Sequence, residues 1–177
     1  VTPIMLIRAA ASNGNILKAE KTPIIGRRST MLNMVCPKAN QIFVQGYSAG
    51  DSMEIGGKIV RSLNNASSIR PFYFQACLHD LDSAIWAQGS SSSPWLFVGR
   101  SEMVYSNGFL YAGFQVDADS FNLGGLSLKK NGPSWSRRIQ SLIAKFDTLG
   151  NTLWMLETPS SRSPFLAPIG RGNVVYY

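Results

Sequence analysis

The sequence predicts an all-β fold built of repeated four-stranded antiparallel units, and three observations carry that expectation. The chain matches itself at a constant offset, set most plainly by Trp86 and Trp154 (154 − 86 = 68). Within each copy apolar residues alternate with a period of two, and Gly, Asn, Asp and Pro punctuate the apolar runs at short intervals. A period of two sends successive side chains to opposite faces of a pleated strand. A repeat of this length is one supersecondary unit, which needs neighbours to bury its apolar face.

The self-match runs without a gap from Gly56-Gly57 against Gly124-Gly125, through Arg70 against Arg138, Ala76 against Ala144 and Leu81 against Leu149, to the two tryptophans. Upstream, Gly46 matches Gly113 at an offset shorter by one, which predicts a length change between Gly46 and Ser52, where an insertion costs least. A third, partial copy opens the chain: Leu6-Ile7, Gly14-Asn15 and Leu17 fall on Leu142-Ile143, Gly150-Asn151 and Leu153 at twice the tryptophan offset. Lys18 stands there in the tryptophan position. The expected division is a partial repeat over 1–41, a repeat over 42–108, and a repeat over 109–177 that runs into the start of a further one.

Each element has its own signal. Leu142-Ile143-Ala144-Lys145-Phe146-Asp147 alternates as a strand, with Leu142, Ala144 and Phe146 on one face. Thr148-Leu149-Gly150-Asn151 carries turn chemistry, because Gly tolerates positive φ and Asp or Asn side chains bond nearby backbone. The strand of Trp154 then returns as a hairpin. The middle copy reads Phe72 to Leu78, a turn at His79-Asp80-Leu81-Asp82-Ser83, and Ala84-Ile85-Trp86-Ala87, rich in the aromatic and branched residues that sheets favour. The Ser/Pro-rich stretches Gly89 to Pro94 and Thr158 to Pro164 are expected as loops into a third strand at Trp95-Leu96-Phe97-Val98 or Phe165-Leu166-Ala167. A fourth strand follows Asn107-Gly108, echoed at Gln41-Ile42-Phe43-Val44 and Gly172-Asn173-Val174. Four short strands per unit with such turns is the inventory of a propeller blade. Pro and Gly interrupt every window long enough for an amphipathic helix.

The order of an apolar strand, Asp147-x-x-Gly150-Asn151, Leu153-Trp154, a polar loop and Gly172-Asn173-Val174-x-Tyr176 resembles the bacterial-type β-propeller repeat, often called the SBBP repeat. The middle copy departs from it with His79, Asp82 and Ser83 at the Asp, Gly and Asn positions, and the first copy with Ala11 and Lys18 at the Asp and Trp positions. The resemblance covers most of the chain. It implies consecutive propeller blades and a binding or structural module of a large secreted or surface protein, not a catalyst. The 177 residues hold about 2.6 such units, whereas propellers close with about four to eight blades. The expected partners are therefore further blades, first of the same polypeptide and otherwise of other subunits. A β-sandwich whose halves look alike is the remaining architecture.

Composition sets outer bounds. Apolar residues make up 45% of the chain and mean hydropathy is near zero, enough to bury a core. No run approaches the roughly eighteen uninterrupted apolar residues of a membrane-spanning helix, and no charged-then-apolar leader opens the chain. Net charge is +7, carried in part by the pairs Arg27-Arg28, Lys129-Lys130 and Arg137-Arg138. Pairs beside Gly, Pro or Ser read as solvated loop charges; an acidic partner surface is the second reading, and nucleic acid is not favoured. Cys36 and Cys77 form no Cys-x-x-Cys pair and are read as reduced thiols, with a disulfide between them as the alternative. Asn65-Ala66-Ser67 is a glycosylation acceptor pattern in an expected loop.

No constellation for catalysis stands out, so a non-enzyme without cofactor or metal is expected. The single histidine, His79, is read as a turn residue. Asp80 with Asp82, and Asp117 with Asp119, could bind calcium through oxygen ligands, but Asx turns fit them better. Gly56-Gly57 and Gly124-Gly125 are tight turns or bulges rather than phosphate loops, since no Gly-Lys-Ser/Thr follows. Trp86 and Trp154, at equivalent strand positions, are expected to pack between neighbouring units. Trp95 and Trp135, in or beside loops, together with Arg137 and Arg138, are the candidate ligand or partner contacts. The expected function is a non-enzymatic interaction or structural module in an extracellular or cell-surface setting; the alternative is a glycan-binding, lectin-like module.

Overall fold

Short strands joined by Gly- and Asn-bearing turns account for every regular element in a computed structural model that describes residues 5–9, 16–21, 25–26, 30–38, 40–62, 71–80, 83–93, 101–130, 139–158, 166–169 and 173–176. The fold is all-β, curled and propeller-like, with no helix among the described residues. Strands β1 (Met5–Ala9) and β2 (Ile16–Lys21) form a hairpin, and β3 (Ile25–Gly26) follows. The first full unit holds β4 (Thr30–Lys38), β5 (Gln41–Ala49), β6 (Ser52–Ile55), β7 (Lys58–Arg61), β8 (Pro71–His79) and β9 (Ser83–Ser93). The second holds β10 (Ser101–Ser106), β11 (Phe109–Ala118), β12 (Ser120–Leu123), β13 (Leu126–Lys129), β14 (Ile139–Asp147) and β15 (Thr152–Glu157). A closing hairpin pairs β16 (Leu166–Ile169) with β17 (Asn173–Tyr176).

The interval between the two tryptophans is also the interval between strands. β8 and β14 begin and end one such repeat length apart, and so do β6 with β12 and β7 with β13. Registers repeat as well: Gln41 opposes His79, and Phe109, one repeat further on, opposes Asp147. The match of Gly46 with Gly113, one position short of a repeat, is therefore not a structural one. Gly46 opposes Phe74, and it is Phe114 that holds the same place opposite Leu142. Aligning the glycines would slip the strand by one residue and send every side chain to the wrong face.

Each unit also has more strands than its sequence pattern suggests. Four form a meander, β4-β5-β8-β9 or β10-β11-β14-β15, and two more form a short hairpin inserted in the middle. Gly56-Gly57 and Gly124-Gly125 are the two-residue turns of these hairpins, with φ of 55°, 76°, 57° and 83°. Positive φ at both central positions is what a type I′ turn demands and what glycine supplies without strain. The hairpins tie units together. β12 pairs with Ser90–Ser93 at the far end of β9, giving a six-stranded sheet of order β13-β12-β9-β8-β5-β4. β3 pairs with β6 in the same sense one unit earlier.

That pairing corrects the expectation of a loop over Gly89–Ser93. The serines lie in β9, where Ser90 Oγ accepts from the Tyr73 N–H at 2.9 Å and Ser91 Oγ accepts from Asn122 Nδ2 at 2.8 Å. A partner from the next unit supplies the ladder that composition alone does not suggest. Pro94, Trp95–Val98 and Phe165 lie outside the described residues.

Alternation gives each meander two faces to bury. In the first unit Ile42, Val44, Phe72, Phe74, Ala76 and Leu78 share one core with Met53, Ile55 and Val60 of the inserted hairpin. Phe43, Tyr73 and Cys77, on the opposite face, join a second core with Leu110, Ala112, Phe114, Leu142, Ala144 and Phe146 of the second unit. The second core is thus a seam between units: the outer face of the first meander packs on the face of the second that corresponds to the first unit's own core. Full burial of a Phe or Leu is worth about 2 kcal/mol, so the seam is the main adhesive between repeats.

Candidate functional site

Trp95, Trp135, Arg137 and Arg138, the residues predicted to contact a ligand or partner, all lie outside the described residues. So do Arg27, Arg28 and the Asn65–Ser67 acceptor pattern. The site that the described residues build is the rim of the inter-unit seam, and the repeated tryptophans define it.

A β-bulge aims those tryptophans. Cys77 opposes Trp86 but Leu78 opposes Ala84, so Ile85 is an extra residue; Lys145 opposes Trp154 but Phe146 opposes Thr152, so Leu153 is extra in the same place. Leu17 is the extra residue of the β1–β2 pair, between Arg8 opposite Lys18 and Ala9 opposite Ile16. Two residues apart on a regular strand, Ala84 and Trp86 would share a face. The bulge re-aims one of them: Ala84 packs in the first unit's own core and Trp86 packs on the seam.

At the seam Trp86 is clasped. Its ring lies 6.1 Å from that of Phe43, its Nε1 donates to the Thr148 carbonyl of the next unit at 2.9 Å, and Gly150 lies flat against the indole. A Cβ at Gly150 would come within 2.7 Å of the Trp86 ring, and its φ of 92° is one that side-chain-bearing residues rarely adopt. The turn is stiffened by Asp147, whose Oδ1 accepts from the N–H of Leu149 at 2.9 Å and of Asn151 at 2.8 Å, and whose Oδ2 accepts from Asn151 Nδ2 at 2.7 Å. Desolvation, the largest single influence, pushes the Asp147 carboxyl up, but the hydrogen bonds from Asn151, Leu149 and Gly150 together outweigh it and hold the group below its ordinary value.

Trp154 repeats the inner half of this arrangement. Its ring lies 6.3 Å from Tyr111, the residue one repeat beyond Phe43. Across the sheet Tyr111, Lys145 and Trp154 form one row, as Phe43, Cys77 and Trp86 do in the first unit. Lys145 Nζ sits over the Phe109 ring at 3.8 Å and the Tyr111 ring at 5.4 Å. The outer half differs: Trp154 is 37% exposed, flanked by exposed Leu153 and Leu156. The expectation that both tryptophans pack between units holds for Trp86; Trp154 presents the same surface to solvent.

A buried polar lock, invisible to self-alignment, fixes the middle of the seam. Gln45 Nε2 donates to Ser101 Oγ at 2.8 Å and to the Glu102 carbonyl at 3.0 Å, while its Oε1 accepts from the Tyr73 hydroxyl at 2.6 Å. The Tyr73 ring stacks on Phe114 at 4.5 Å and 14°. The equivalents of Gln45 and Tyr73 in the second unit are Gly113 and Ser141, so the lock is not repeated. Its only sequence signal is polar Gln45, Tyr73 and Gln75 set within otherwise apolar strands.

The remaining polar candidates fall into place as structure. His79 ends β8 exposed, and Asp80 follows with a positive φ of 58°. Asp119 pairs with Lys130 Nζ at 3.0 Å across the base of the β12–β13 hairpin, so of the Lys129-Lys130 pair one charge is engaged and Lys129 is exposed. Asp82 lies outside the described residues. Cys36 and Cys77 are free thiols, the first exposed and the second buried; burial pushes the Cys77 thiol up to about 11. Among the described residues no three His, Cys, Asp or Glu side chains converge to hold a metal, and no helix is long and apolar enough to cross a membrane.

Neither protein-family models nor curated proteins give a match to this chain.

Proposed function

We propose that the chain is a non-enzymatic, propeller-type repeat module that builds the framework of a larger extracellular or surface protein and offers its rims to protein partners. The observation that carries this reading is the clasp of Trp86 by the Thr148–Gly150 turn of the following unit, set within two meanders whose strands recur at the tryptophan interval. Side chains concentrated at the seam are used for adhesion between repeats. The likeness of Asp147-x-x-Gly150-Asn151 and Leu153-Trp154 to the SBBP repeat supports the same reading and the extracellular setting.

Thermal unfolding of the wild type and of Gly150→Val tests it. One cooperative transition is expected for the wild type. The variant forces a β-branched residue to positive φ against an indole, which costs about 3 kcal/mol and lowers Tm by about 2–4 °C per kcal/mol at this size. Two independent transitions, or an unchanged Tm, would refute stacking as the basis of function. For the setting, protease applied to intact source cells is expected to cleave the protein; full protection would remove the extracellular part.

The second reading, glycan binding, is favoured by one observation, the half-open indole of Trp154 beside Lys145 and Tyr111. Aromatic faces of this kind stack on sugars. Loss of glycan-array binding on Trp154→Ala, or on Trp95→Ala or Trp135→Ala, with the fold intact, would establish it.

A further inference from the structure

We infer that the row Tyr111–Lys145–Trp154 is the docking surface for a further repeat unit of the same polypeptide, whose Gly-bearing turn closes over Trp154 as Gly150 closes over Trp86. The inference rests on the repeat-module reading and names the partner of its open face. Three observations carry it. First, the row is residue for residue the repeat equivalent of Phe43–Cys77–Trp86, and that row is covered by the second unit. Second, the covering of the second unit has already begun. β10 lies against β4 at the first seam, and β16, opening the next hairpin, lies against β10 and β11 at the second. The stack therefore continues at the β10 end of the sheet, while Trp154 at the β15 end is exposed.

Third, the face of β15 that corresponds to the covered Trp86 face is exposed among the described residues. Trp154 and Leu156, which share a face of β15, are exposed, whereas Trp86 in the equivalent place is half-buried under the second unit; Leu153 carries no weight, since its equivalent Ile85 is exposed at the covered seam too. A contiguous apolar edge of this kind marks an interface. The chemistry required of the occupant follows from the first seam. It must present a backbone carbonyl to the Trp154 Nε1–H and a residue without a Cβ flat on the indole, which an Asp-x-x-Gly-Asn turn provides.

The test compares hydroxyl-radical oxidation of Trp154 with that of Trp86, as an internal reference, in the native polypeptide from its source and in the Val1–Tyr177 chain. A photo-crosslinking residue at Leu156 identifies what lies opposite. The expected result is a Trp154 to Trp86 oxidation ratio well above one in the Val1–Tyr177 chain and close to one in the native polypeptide, with the crosslink landing in a strand–turn–strand segment of a further repeat. An unchanged ratio, or a crosslink to a segment of another kind, overturns the inference. Protection of Trp154 that grows with concentration of the Val1–Tyr177 chain assigns the face to a second copy and also overturns it. Protection by soluble oligosaccharides does so in favour of a glycan. The Gly150→Val experiment reads stacking inside the chain and is indifferent to what covers Trp154, so the two failures are distinguishable.

Discussion

Burial separates two chemically identical groups at the scale of single residues. Cys77 is enclosed in the seam core with its thiol pushed up to about 11, while Cys36 is exposed on β4. The thiolate is the reactive form, so a maleimide or aromatic disulfide reagent is expected to label Cys36 in the native protein and Cys77 only after denaturation; equal labelling rates would contradict the burial. Gln45 is the residue whose loss should be felt furthest. Gln45→Ala leaves the Tyr73 hydroxyl and Ser101 buried without their partner and is expected to cost about 2–3 kcal/mol in urea unfolding. Tyr73→Phe, which strands only the Gln45 carbonyl, should cost about half that. The carboxyl of Asp147 titrates below its unfolded value, so its contribution is present above an ordinary aspartate pKa of about 4 and disappears as pH falls through the folded value. The Tm gap between wild type and Asp147→Asn should accordingly shrink between about pH 5 and pH 2.

Among elements, the strands with long alternating runs were legible and the short ones were not. β8, β9, β14 and β15 follow from the apolar and aromatic patterns around the two tryptophans, and the turn at Asp147 follows from its Asx chemistry. The hairpins β6–β7 and β12–β13 have four-residue strands, too brief for a period to register, so only their glycine turns were readable. The serines of β9 gave the wrong impression for a related reason: their ladder partner comes from another unit. Trp86 could be placed on a seam and Trp154 at the equivalent strand position, but the bulge that aims them leaves no trace in a sequence pattern. Deleting Ile85 makes Ala84 and Trp86 neighbours opposite Leu78 and Cys77, and neighbours on a regular strand point to opposite faces, so the deletion is expected to remove the bulge yet keep Trp86 on the seam with its fluorescence maximum unchanged. A red-shifted emission in the deletion variant would show that the indole is aimed by the extra residue itself and not by the register on either side of it.

The whole molecule is a chain of mutually dependent sheets. Because β12 belongs to the second unit by sequence and to the first unit's sheet by pairing, neither unit owns its stability. Far-UV dichroism and tryptophan fluorescence are therefore expected to report coincident urea transitions, with Trp86→Ala shifting both to lower urea together; separated midpoints would mean that the units fold alone. Of the basic residues behind the net charge of +7, Lys130 holds a hairpin base closed.

The Gln45–Tyr73–Ser101 lock has a consequence for inheritance. Tandem segments in a gene are prone to misaligned copying, which duplicates or drops whole repeats. A protein in which the second unit were followed by itself would bring Gly113 and Ser141 to the place where Gln45, held by the Tyr73 hydroxyl, now donates to Ser101, leaving a hydroxyl unanswered and a hollow beside the Phe114 ring. Such a shuffled product would be less stable than the present one, so the lock favours the second unit after the first over the second unit after itself.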